Sequence, residues 1–227
     1  MEKSRAPPST LAAEELRTDS MDSLMRWLLA VTIAAVIAPG GIGWLDARPA
    51  YVFHGITTDA PRAAEFTLTA HNGTRVRLGD FLGKTVLLYF GYTHCPGICP
   101  TTLAEIDRAL RTLGPAAARV QVMMVTIDPE RDTPARLRAY MVHFNPTFLG
   151  LTGTPQEVAA VASRYGIYYR RDEPDARGDY LIDHTSMVIV IDPTGRVRLL
   201  FPFGTTVEAM ASDLNHLLGG PPARSRG

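Results

Sequence analysis

The chain holds two cysteines, Cys95 and Cys99, three residues apart within Gly91-Tyr92-Thr93-His94-Cys95-Pro96-Gly97-Ile98-Cys99-Pro100. Thiols so placed can do two kinds of chemistry. They can close and open a disulfide, or as thiolates they can converge on one metal ion. The segment follows the apolar run Thr85–Phe90 and precedes a helical pattern, so the pair falls at a helix N-terminus, where the dipole favours thiolate. Pro100 suits the first helical position, which makes Cys99 the N-cap and leaves Cys95 in the preceding turn. A metal would want a third group. His184, in Asp183-His184-Thr185-Ser186, runs into an expected central strand, and strand ends of an α/β sheet gather near helix N-termini. Two thiolates and an imidazole suit copper, since soft sulfur selects Cu(I) and imidazole also tolerates Cu(II). Zinc at the same three ligands is chemically admissible. On spacing alone, a structural or redox disulfide is the commoner outcome for such a pair.

His94 adjoins Cys95 but ranks below His184 as a ligand, and His54, His71, His143 and His216 are assigned no role. Asp128, in Thr126-Ile127-Asp128-Pro129-Glu130-Arg131-Asp132, ends an expected buried strand on the side of the cysteine turn. It reads equally as a turn residue and as a supporting group behind the metal ligands.

The elements that must position these residues follow from periodicity. Alternating runs at Glu65–Ala70 and Arg75–Leu78 flank Asn72-Gly73, a hairpin turn signal. Thr85–Phe90 and Arg119–Ile127 are continuous apolar runs, the mark of strands buried on both faces. Helical spacing recurs over Pro100–Leu113, Pro134–Phe144, Pro155–Tyr165 and Thr206–Leu218. Ser186–Ile191 and Arg196–Phe201 flank the turn Asp192-Pro193-Thr194-Gly195. This order predicts an α/β sandwich with a mixed central sheet flanked by helices.

Trp27–Leu45 is a run of 19 residues without a charge, with the chain's only two tryptophans near its ends. As a helix it would span about 28 Å, close to the bilayer core. It is expected to be one N-terminal transmembrane anchor, although Pro39-Gly40-Gly41 would interrupt it and a cleaved signal segment is the alternative. Arg26 beside the span, with Lys3, Arg5 and Arg17 before it, favours the N-terminus inside. The resulting division is an extension at 1–26, an anchor at 27–45, a linker at 46–64, a folded domain at 65–218 and a tail at 219–227. Composition agrees with a globular domain: 46% of residues are hydrophobic and 20% charged. The 227-residue chain balances 23 basic against 23 acidic side chains, which argues against a general nucleic-acid binder.

FGYTHCPGICPTTL (Phe90–Leu103), VTIDPERDTP (Val125–Pro134), GLTGTPQEV (Gly150–Val158) and YLIDHTS (Tyr180–Ser186), in this order and spacing, resemble the SCO/SenC family of copper chaperones. The resemblance covers roughly residues 65 to 218. It implies a thioredoxin-like fold, tethered to the inner membrane and facing the periplasm, or the intermembrane space in mitochondria. It implies that Cys95, Cys99 and His184 bind one copper ion, Cu(I) or Cu(II), for assembling the dinuclear copper site of cytochrome c oxidase. The implied partners are the oxidase's copper-binding subunit and a copper-donating chaperone. Asp128 matches an acidic residue that the family keeps near the site. Gly97 departs from the family, which commonly has an acidic residue between the cysteines, and Ala70 and His71 stand where another acidic residue is usual. The competing reading is a thiol-disulfide reductase that keeps the oxidase's cysteines reduced through Cys95 and Cys99. A thioredoxin-related peroxidase fits the residues less well, and a copper or redox sensor is not separated from these readings by sequence.

Overall fold

The computed structural model describes residues 50–220. In chain order the strands are β1 (Ile56–Thr57), β2 (Thr67–Ala70), β3 (Arg75–Arg77), β4 (Thr85–Gly91), β5 (Val120–Thr126), β6 (Leu149–Thr152), β7 (Tyr169–Arg171), β8 (Ile182–His184), β9 (Met187–Ile191) and β10 (Val197–Pro202). The α-helices are α1 (Ile98–Leu113), α2 (Pro134–Met141), α3 (Pro155–Arg164) and α4 (Val207–Leu217). Eight strands make one mixed sheet in the order β1-β10-β9-β4-β5-β6-β2-β3, and β7 and β8 pair separately as a small ribbon.

The two apolar runs sit at the middle of this sheet, where every residue of β4 and β5 is buried. They run parallel in register from Thr85 opposite Val120 to Gly91 opposite Thr126. Their C-terminal ends therefore finish side by side, and the loops that leave them meet. β9 flanks β4 antiparallel, and β6 continues the parallel set beyond β5. Helices α1 and α4 pack on one another, and α2 packs on β6. The expected hairpins form: β2 and β3 pair around Gly73, whose φ of 87° only glycine adopts without strain, and β9 and β10 pair around the Asp192 turn.

Local chemistry explains the helix starts. Thr133, Thr154 and Thr206 each cap a helix by accepting from the backbone N–H three residues on. Pro134 and Pro155 then open α2 and α3, where a missing N–H costs nothing. Glu157 returns a bond to the N–H of Thr154, closing a capping box.

The stretch 46–64, expected to be a linker, departs from that reading within its described part. β1 joins the sheet edge beside β10, and the N–H of Ala63 donates to Gly195 at 2.9 Å. The reason is a buried carboxylate on α4. Asp213, fully buried, accepts from the Tyr51 hydroxyl at 2.7 Å, His54 Nδ1 at 2.9 Å and the N–H groups of His54 and Gly55 at 3.0 and 2.8 Å. A carboxylate out of water must be satisfied by donors, and this strap supplies them. Tyr51 also stacks on His216, with ring centroids 4.1 Å apart.

The candidate membrane segment at 27–45, the extension at 1–26 and most of the tail lie outside the described residues. Among the described residues, no helix is long and apolar enough to cross a membrane.

Asp213→Ala should lower the unfolding free energy by about 2–4 kcal/mol in urea titrations at pH 7, because several buried donors lose their acceptor. Burial would raise the Asp213 carboxyl, but the bonds from His54, Gly55 and Tyr51 outweigh it and hold the group below its ordinary value. A carboxyl depressed in the folded chain stabilises fully above its unfolded pKa, about 3.9, and less as pH falls through the lower folded value. The stability gap should therefore narrow below about pH 4. A gap as wide at pH 3 as at pH 7 would contradict the assignment.

Candidate metal centre

β4 ends at Gly91, and seven residues later α1 begins without a capping side chain: Gly97 is its N-cap and offers none. The unmet N–H of Cys99 instead donates to Cys95 Sγ at 3.4 Å. The sulfur thus takes the place of a capping oxygen at the positive end of the helix. This corrects the expected geometry. The helix starts at Ile98, so Cys99 lies in its first turn and is not the cap, while Pro100 comes third, still among the N–H positions that need no intrahelical partner.

The two thiols differ sharply. Cys95 is half-buried and Cys99 fully buried. Donation from the Cys99 thiol, opposed by burial and aided by His184 and by the N–H groups of Cys99 and Gly97, pulls Cys95 down to about 3. Cys99 is pushed well up, first because its proton is held by Cys95 and then by burial. The shared proton is therefore biased toward Cys99 and thiolate character toward Cys95.

His184 ends β8 and faces this pair. Its Nδ1 lies 3.1 Å from the Thr185 carbonyl, which can only accept, so the ring donates from Nδ1 and leaves Nε2 directed at Cys99 Sγ, 3.6 Å away. A metal ion bonded to a sulfur at about 2.3 Å and an imidazole nitrogen at about 2.0 Å holds them roughly 3.5 to 3.8 Å apart. The Cys99–His184 pair already has that separation. Among the described residues, however, no three Cys, His, Asp or Glu side chains form a ready-made metal cage.

Two carboxylates in the turn after β5 hold the parts of the site. Asp132, fully buried, accepts from the Thr93 N–H at 2.9 Å, the Thr93 hydroxyl at 2.6 Å and the Thr126 hydroxyl at 2.6 Å. It fastens the cysteine loop to the end of the neighbouring strand. Arg136 Nε donates to Thr93 Oγ1 at 3.1 Å, and His94 Nδ1 lies 3.8 Å from Asp132. Asp128 touches neither sulfur nor His184. It accepts from Arg131 at 2.5 Å and from the Tyr180 hydroxyl at 2.8 Å, while the Arg131 guanidinium lies 3.5 Å from the centre of the Tyr180 ring and donates to the Tyr180 carbonyl at 3.0 Å. Tyr180 precedes β8 by two residues, so Asp128 secures the strand that carries His184. The Tyr92 hydroxyl adds a second tie by accepting from the Ile182 N–H at 3.0 Å.

The SCO1/SenC family model matches residues 55–219. This chain belongs to the SCO1/SenC family. It is 42% identical to the mitochondrial SCO2 homolog of Bos taurus over 134 residues, which cover 58% of this chain and 50% of that protein. It spans about half the length of such mitochondrial relatives. It is also similar to the structure of Bradyrhizobium japonicum ScoI with copper bound, at 39% identity and a TM-score of 0.64, covering 69% of this chain and 99% of that one. The solution structure of apo Sco1 from Thermus thermophilus matches at 39% identity and a TM-score of 0.67, covering 74% and 99%. The SCO1/SenC domain is thus a thioredoxin-like α/β fold with a mixed sheet and flanking helices, as expected. The match also starts inside the stretch first read as linker.

The tertiary structure brings Cys95, Cys99 and His184 together and sets Asp128 one layer away. Asp132, Thr93, Arg131, Tyr89, Tyr92 and Tyr180 belong to the same neighbourhood and were not singled out from the sequence. The Arg131-Asp132 pair within VTIDPERDTP was the one available signal, because charged residues directly after a buried strand need partners. At Gly97 an added Cβ would meet nothing within 4 Å, so a side chain between the cysteines would find room.

Two outcomes follow from the site's electrostatics. Alkylation by iodoacetamide should label Cys95 and spare Cys99, at a rate nearly flat from pH 5 to 8, as peptide mapping can read. An ordinary thiol would slow by roughly three powers of ten from pH 8 down to pH 5. A Cys95 rate that falls so steeply would refute the thiolate assignment. Asp132→Ala should destabilise the fold by about 2–3 kcal/mol in denaturant, since Thr93 and Thr126 lose a buried acceptor; a loss under about 0.5 kcal/mol would show that the loop does not depend on it.

Proposed function

We propose that this chain is a metallochaperone, which binds one copper ion through Cys95, Cys99 and His184 and hands it to the dinuclear copper site of cytochrome c oxidase during assembly. The observation that carries the reading is the meeting of His184 Nε2 and Cys99 Sγ at 3.6 Å beside Cys95, whose thiol is held well below its ordinary value. Soft thiolates with an imidazole favour copper, and three ligands leave the ion open to attack by a recipient's side chain. Transfer then needs ligand exchange alone, with no bond made or broken in a substrate. Binding releases the Cys99 proton, so uptake is favoured as pH rises. Asp128 acts through Tyr180 and Arg131 by holding the His184 strand in place. Family membership and the copper-bound relative from Bradyrhizobium japonicum support copper as the cargo. The segment Trp27–Leu45 would tether the domain to the inner membrane, facing the periplasm or, in a mitochondrion, the intermembrane space.

A second reading, a thiol-disulfide reductase for the oxidase's own cysteines, is favoured by the unequal thiols. An exposed thiolate that attacks and a buried thiol that resolves are what disulfide exchange requires. It does not call for His184.

Titration of the reduced full chain with Cu(I) against a competing chelator separates the two. One copper per chain is expected, lost in Cys95→Ser and Cys99→Ser and weakened at least about tenfold in His184→Ala, the loss of one ligand. Unchanged affinity in all three variants would sink the metal centre. Weak binding throughout, with rapid reduction of a mixed disulfide that survives His184→Ala, would establish the reductase.

A further inference from the structure

Tyr89 lies in β4 with none of its surface exposed, and its hydroxyl has no hydrogen-bond partner. A buried phenol ordinarily finds one, so an orphan hydroxyl beside a chemical site asks for a role. Its neighbour is Cys99. An added Cβ at Gly91 would stand 2.7 Å from Tyr89 Cε1, 3.3 Å from its Cζ and 3.0 Å from Cys99 Sγ, so ring and sulfur crowd the same space over that glycine. The Tyr89 ring also packs edge-on near His184, at a centroid distance of 6.4 Å. The hydroxyl lies beside the side chains of Cys99 and Thr102. Thr102 has already given its proton to the Ile98 carbonyl at 2.9 Å, so the Tyr89 proton is the uncommitted one. A cysteine sulfur bound to a metal ion is an anionic acceptor, and in a buried place such a bond is strong.

We infer that Tyr89 is a positioning residue for Cys99, its hydroxyl held in reserve to donate to the Cys99 sulfur when that sulfur becomes a metal-bound thiolate. This rests on the copper reading above and adds to it the group that steadies the buried ligand. The bond would draw electron density from the sulfur and bias the ion's electronic state, as partners behind metal ligands do. Tyr140 provides an internal control. Its hydroxyl is likewise buried and unpartnered, but the two cysteines act on it only through space.

The test compares the full chain with Tyr89→Phe and Tyr140→Phe by melting without metal, by Cu(I) competition and by the thiolate-to-Cu(II) charge-transfer band. Metal-free Tyr89→Phe should melt at or above the wild-type temperature, because the deleted hydroxyl bonds to nothing there. It should bind Cu(I) about tenfold more weakly, the effect of one charge-assisted hydrogen bond. Its charge-transfer band should move to longer wavelength, since the freed sulfur donates more readily, while Tyr140→Phe should match the wild type in all three. Wild-type affinity and band in Tyr89→Phe would overturn the inference, as would equal losses in both variants or a lowered metal-free melting temperature. A wild-type chain that takes up no copper would instead remove the copper reading, and this inference with it.

Discussion

The turn after β5 is the constraint on which the site depends. Asp132 is a carboxylate with no access to water, and its charge is tolerable only because Thr93 and Thr126 turn donors toward it. Those donors come from the ends of two parallel strands, so satisfying one charge fixes where the cysteine loop leaves the sheet. Four residues earlier Asp128 does the same for the other half, through Arg131 and Tyr180. Two acidic residues on one turn thereby hold the sulfurs on one side and the imidazole on the other. Neither needs to touch a metal to decide whether one can bind.

Within that frame the dithiol is asymmetric by placement. Both sulfurs lie at the same helix end, but the one outside the helix accepts the free N–H and the one inside is buried under Tyr89. Ionisation is therefore favoured at Cys95, and the buried Cys99 is the better place for the proton. A metallochaperone and a thiol reductase draw on this same asymmetry. What sets them apart is the third group, His184, which a ribbon of two three-residue strands delivers. The most informative side chain thus stands on one of the smallest elements of the fold.

Much of this was legible in the residues. The long apolar runs of β4 and β5, the Asn72-Gly73 and Asp192 turns and the proline-led helices each carry a local signal strong enough to survive folding. So do the cysteine spacing and its place before a helix. The elements that were missed are short or edge elements: β1, β6, β7 and β8 have two to four residues each, too few for any period to show. The strap around Asp213 was read as linker for a related reason. Its polar donors look like loop composition until the buried carboxylate they serve is seen across the chain.

The sequence by itself determined which groups could do chemistry, that two of them share a helix start, and that a strand buried on both faces leads to them. Its motifs also sufficed to point to the SCO/SenC family. Only the tertiary structure decided that His184 reaches Cys99, that Asp128 acts at one remove, that Asp132 fastens the loop, and that Tyr89 stands over the buried sulfur with its proton uncommitted. The physical reason is range. Periodicity, capping and turn chemistry act over a few residues and are written in order along the chain. The hydrogen bond from Thr93 to Asp132 and the approach of His184 to Cys99 join residues 39 and 85 positions apart, and they exist only once packing has brought those residues together.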